Sequence, residues 1–175
     1  MDNASFRAQE RSSLGSARRR LRSRLYVIAV QCLLCLSALA QPTSSSGDAT
    51  IPEAKLLQPA DFAQMLRSPG REKPLILQVG SHVLYAEAHI PGSEYAGPAG
   101  EEAGLKALEA RVQGLPRTRF LVIYCGCCPW RNCPNIRAAY RQLVAMGFTQ
   151  VKVLYLEDNF GSDWVAKGYP VEKGR

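Results

Sequence analysis

Three short apolar runs punctuate the second half of the chain: Leu75 to Val79 between Pro74 and Gly80, Phe120 to Tyr124, and Val151 to Leu156. Runs of this length, rich in Leu, Ile and Val, predict buried strands. The spacing between them is helical. Pro59-Ala60-Asp61-Phe62 opens a helix reaching about Arg67, and the stretch from Glu101 to Val112 carries Leu105, Leu108 and Val112 along one face. A third helix runs from about Pro134 to Met146, with Ile136, Ala139, Tyr140 and Leu143 on one side and Gly147 as its stop. Strands alternating with helices predict an α/β fold, a mostly parallel central sheet flanked by helices on both faces.

Before this region the pattern changes. Arg18-Arg19-Arg20-Leu21-Arg22-Ser23-Arg24 runs into an apolar block, Leu25 to Ala40, which ends in the small-x-small triplet Ala38-Leu39-Ala40. Sixteen residues, broken by Gln31 and Ser37, fall short of the ~20 that span a bilayer. Residues 1–40 therefore read as a signal peptide, with an uncleaved anchor as the alternative, and the expected setting is extracytoplasmic or periplasmic. Residues 41–50, rich in Ser, Thr, Pro and Gly, read as a flexible linker, and 51–175 as one folded domain.

Charge alters this picture little. The chain of 175 residues carries +7, but seven of its arginines lie in residues 1–40 against Asp2 and Glu10. That leaves the remainder close to neutral, without a basic stripe, and excludes nucleic acid as the expected partner. Membrane contact is expected only through an uncleaved leader.

The chemistry concentrates in one segment. Directly after the second apolar run comes Cys125-Gly126-Cys127-Cys128-Pro129-Trp130-Arg131-Asn132-Cys133-Pro134-Asn135, then the third helix. All four cysteines beyond the leader lie in these nine residues from 125 to 133. In open α/β sheets, ligands sit beyond the carboxyl ends of strands. A thiol between such a strand end and a helix N-terminus, near Arg131, has its thiolate favoured, which is how an activated sulfur nucleophile is built.

With these residues in view, the stretch 51–174 resembles a single-domain rhodanese. The resemblance rests on Leu75–Val79 as the early strand, Ala88-His89-Ile90-Pro91-Gly92 as the family's turn, and Leu121-Val122-Ile123-Tyr124-Cys125 as strand plus catalytic cysteine. Ala138-Ala139, Leu143, Gly147-Phe148, Val151, Trp164 and Gly168-Tyr169-Pro170-Val171 continue the register. It implies a sulfurtransferase in which Cys125 takes a sulfane sulfur from a small anionic donor such as thiosulfate, holds it as a persulfide, and passes it to cyanide or a thiol. Gly126 and Arg131 would bind the donor. No cofactor and no metal is implied. His89, Trp164 and Tyr169 are expected to be structural, and His82 a surface residue.

The chain departs from the family in two places. Gln78-Val79-Gly80 stands where an Asp-x-Arg is usual, and the loop from Cys125 to the helix is longer and richer in cysteine. Cys127, Cys128 and Cys133 are candidates for a redox or disulfide role, with a Cys128–Cys133 bridge expected, or Cys127–Cys133, and Cys125 left free. Two alternatives stay open: a redox or soft-metal module whose thiolates hold Cu(I) or zinc, and a phosphatase or arsenate reductase of the Cys125-x5-Arg131 spacing, with Asp158 or Asp163 as acid.

Overall fold

The computed structural model describes residues 51–69 and 72–174. The leader with Cys32 and Cys35, its expected cleavage site and the linker at 41–50 lie outside the described residues. A 3-10 turn at Glu53–Lys55 leads into β1 (Leu56–Leu57), α1 (Pro59–Arg67) and β2 (Leu75–Gln78). Then come α2 (His82–Glu87), β3 (Glu94–Tyr95), α3 (Glu102–Val112), β4 (Leu121–Tyr124), α4 (Pro134–Ala145) and β5 (Val151–Leu154). The five strands form one sheet in the order β1-β5-β4-β2-β3, and every pair is parallel.

The expected strands and helices are present, slightly trimmed at their ends. Three elements are additions. β1 and β3 are two residues each, too short to show alternation, and exist because they pair with Val153–Leu154 and with Leu77–Gln78. The six residues of α2 bury Tyr85 and leave Val83 and Leu84 exposed, which inverts the usual signal of an amphipathic helix.

β2 and β4 are buried on both faces, so successive residues feed two cores. Leu75, Leu77 and Val79 of the β2 segment join Leu121, Ile123 and Cys125 on one face, packed against Leu108 and Val112 of α3 and Ile136, Ala139 and Leu143 of α4. Ile76, Val122 and Tyr124 point the other way, to Phe62 and Ala63 of α1 and to Phe160 and Trp164. Helices therefore cover both faces.

This alternation positions the chemistry. Cys125 continues the β4 pattern onto the face that α4 covers, so its side chain meets the start of that helix. The chain leaves β2 toward β3 on one side and leaves β4 toward β5 on the other. The adjacent carboxyl ends of β2 and β4 thus form the topological switch point, where parallel sheets open a crevice.

Candidate active site

Around Cys125 the structure gathers sulfur, two amide side chains and two glycines. Cys125 Sγ lies 3.0 Å from Cys127 Sγ, and Cys127 Sγ lies 3.6 Å from Cys128 Sγ. Asn135, in the first turn of α4, donates from Nδ2 to Cys125 Sγ at 3.4 Å and to Cys127 Sγ at 3.6 Å. Its amide is oriented by the Gly100 N–H, which donates to Oδ1 at 2.7 Å. Gln78, fully buried, donates from Nε2 to the Cys125 carbonyl at 3.2 Å and accepts the Gly80 N–H at 3.1 Å. A carboxylate here could not make the first of these bonds, so it is the neutral amide that joins β2 to the cysteine loop.

Two glycines are required by close approach. A Cβ on Gly80 would stand 2.7 Å from Cys125 Sγ, and one on Gly126 would stand 2.5 Å from Phe160 Cβ. Gly126 also has φ +79°, the left-handed region that side chains disfavour. Its carbonyl accepts the Phe160 N–H at 3.0 Å, which pins the loop to the segment after β5. Gly126→Ala is expected to cost about 2–4 kcal/mol, from backbone strain plus the clash. Chemical denaturation measures it, and a cost below about 1 kcal/mol would mean that the loop adapts freely.

The sulfur protonation pattern follows from these contacts. Contact with Cys125 pushes the Cys127 thiol below its ordinary range, helped by Cys128, Asn135 and the Ser81 backbone against the opposing effect of burial. Cys133 is lowered too, first by Cys125, then by the Ile136 backbone in α4. Cys125 is raised by its contacts with Cys127 and Cys133 and by burial. Burial, then its contacts with Cys133 and Cys127, raise Cys128. Cys125 and Cys127 therefore share a proton across 3.0 Å, and Cys127 is the sulfur of the pair nearer the crevice.

The opening lies on the same side. A cleft of about 480 Å³ is lined by Gly126, Cys127 and Phe160, by the exposed apolar residues Leu84, Val165 and Val171, and by Glu87 and Lys173. Cys125 is 4% exposed, one sulfur behind Cys127. Arg131 sits exposed on the 3-10 turn Trp130–Asn132, its carbonyl accepting from Arg137. Among the described residues no hydrogen bond or ion pair joins its guanidinium to the cysteines; the cation lining the cleft with Cys127 is Lys173. Trp130 packs edge-on against Tyr155 and its N–H reaches the Glu157 carbonyl, so it anchors the loop.

Among the described residues, the four cysteines of the loop form no disulfide. The shortest sulfur approach joins Cys125 to Cys127, whereas the sequence reading pairs Cys128 or Cys127 with Cys133 and leaves Cys125 apart. Cys133, buried at the start of α4, also touches Cys125 and Cys128. Asp163, one of the two acids considered for a phosphatase, spends its carboxylate on the Asp158 and Asn159 N–H groups. His89 is buried, stacks on Tyr85 and exchanges backbone hydrogen bonds with Glu172, as a structural residue does.

No protein-family model matches the chain, and no curated protein matches it. Its architecture does match solved structures. The rhodanese-like domain of the Alr3790 protein from Anabaena sp., solved in solution, superposes with a TM-score of 0.51 at 21% identity, covering 68% of this chain and 79% of that one. A crystal structure of the Alr3790 protein gives 0.51 at 20% identity over 67% and 92% of the two chains. The BH2092 protein from Bacillus halodurans gives 0.51 at 21% identity over 67% and 75%. The fold is rhodanese-like. In this rhodanese-like fold the cysteine loop connects the central strand β4 to α4. Asn135, Gln78 and Lys173 are the site residues that sequence reasoning missed. Asn135 left one signal, a poor helix former directly after the helix-opening Pro134.

Proposed function

We propose that the protein is a sulfurtransferase that carries sulfane sulfur as a persulfide on Cys125. The observation that carries this reading is the Cys125–Cys127 pair, 3.0 Å apart at the switch-point end of β4 with the Asn135 amide donating to both sulfurs. Cys125 passes its proton to Cys127 and attacks the outer sulfur of a donor such as thiosulfate. The donor's S–S bond breaks as the new one forms, and sulfite leaves with the bonding pair. Cyanide or a thiol then attacks the outer sulfur of the persulfide. Cys125 departs as thiolate and recovers its proton from Cys127.

Access from the cleft requires the half-exposed Cys127 side chain to swing aside. In this scheme Lys173 takes the anion-holding part that sequence spacing assigns to Arg131. The leader supports an extracytoplasmic setting for the reaction. Initial rates measured against donor at several acceptor concentrations test the scheme: parallel double-reciprocal lines are expected for a covalent sulfur carrier. Intersecting lines, or no sulfite released, would overturn it. Asn135→Ala should lower turnover about tenfold, the worth of a hydrogen bond to a charged sulfur, with stability little changed. Parental turnover would reduce Asn135 to a packing residue.

A second reading is favoured by the same short contact. Two thiols 3.0 Å apart can give up two protons and two electrons to an oxidant such as a disulfide, forming a Cys125–Cys127 bridge. The product separates the readings: thiosulfate would leave the thiols of such a redox protein without added sulfur.

A further inference from the structure

Sulfur transfer between Cys125 and a donor gives Cys128 no task, yet the loop brings that thiol into the cluster. The Sγ atoms of Cys125, Cys127 and Cys128 all lie within 4.8 Å of one another, and the group contains no carboxylate or imidazole. The convergence is built by the fold. Gly126 turns the chain at φ +79°, and the Trp130 N–H to Glu157 carbonyl bond holds the far side of the loop.

Soft thiolates select Cu(I), whereas zinc in a structural site takes four ligands. Metal–sulfur bonds of about 2.3 Å set three trigonal ligands about 4.0 Å apart. Two of the separations, 3.0 Å and 3.6 Å, are somewhat shorter than that figure and the third is within 4.8 Å, so small side-chain shifts bring the three sulfurs to it. Cys133 touches Cys125 and Cys128 but is not one of the three sulfurs that all lie within 4.8 Å of one another.

We propose that Cys125, Cys127 and Cys128 form a three-thiolate site for Cu(I). The ion keeps its oxidation state, and each coordinating sulfur releases to solvent any proton it carries. Occupancy covers the Cys125 sulfur, so a loaded protein takes up no sulfane sulfur.

The test uses the full chain with Cys32→Ser and Cys35→Ser, whose remaining thiols are the four of the loop, reduced and anaerobic. Cu(I), supplied as its acetonitrile complex, is titrated against a chromogenic Cu(I) chelator. One ion per chain is expected. Cys128→Ser should weaken binding at least about a hundredfold, while still taking up sulfur from thiosulfate on Cys125. Cys133→Ser should bind within a few-fold of the parent. Undiminished affinity in Cys128→Ser, or no Cu(I) binding by a protein that still takes up sulfur, overturns the site and leaves the transfer reading standing. Equal losses in Cys128→Ser and Cys133→Ser overturn the three-sulfur geometry in favour of a four-sulfur one. A chain that binds Cu(I) as described but takes up no sulfur keeps the site and overturns the transfer reading.

Discussion

Cys125→Ser is expected to fold like the parent and to turn over thiosulfate only at background rate. Serine is nearly isosteric, and its hydroxyl can accept from Asn135 and donate toward Cys127, so the contacts that hold the strand end persist. Its oxygen cannot carry a sulfane sulfur under these conditions, because an alkoxide is far less accessible than a thiolate and the S–S bond has no oxygen counterpart. The measurement is sulfite release under saturating donor and cyanide, alongside chemical denaturation. Parental stability with activity lost is the expected pair of results. Retained turnover would move the carrier to Cys127, the sulfur that lines the cleft.

Trp164→Ala should produce the largest loss of stability, about 3–5 kcal/mol. Trp164 is fully buried, stacks on Phe160 with ring centroids 6.0 Å apart, and touches Phe62 and Tyr169. Its Nε1 donates to the Pro170 carbonyl at 2.9 Å, which ties the closing segment to the core. Removing the ring empties a large site and strips support from Phe160, whose N–H holds the Gly126 carbonyl. The denaturation midpoint should fall steeply, with Tm lower by about 10 °C or more. Activity should weaken at temperatures where the mutant is still folded, because Phe160 lines the cleft beside Cys127. A loss under about 1 kcal/mol would mean that the π-type turn at Gly161–Val165 repacks without it.

The sheet was legible in the sequence where burial is uniform. Leu75–Gln78, Leu121–Tyr124 and Val151–Leu154 are apolar runs because both faces of the central strands are covered. The same reading could not reach β1 and β3, whose existence depends on partners far along the chain. Cys125 and the cysteine loop were legible because strand, loop and helix are consecutive. Long-range members of the site were not: Gln78 is 47 residues from the carbonyl it bonds, and Lys173 reaches the cleft from the closing segment. The protonation pattern was equally out of reach. Helix and arginine arguments favour a thiolate on Cys125, but the neighbouring sulfurs and burial raise that thiol, and contact with Cys125 lowers Cys127.

The central claim, that Cys125 carries sulfane sulfur, is tested most directly by the modification state of each cysteine after incubation with thiosulfate. Peptide mapping by mass spectrometry, with unreacted thiols blocked by alkylation, should find a gain of about 32 Da, one sulfur atom, on the peptide containing Cys125 and localised to that residue. Four unmodified thiols, or a Cys125–Cys127 disulfide with no added sulfur, would contradict it.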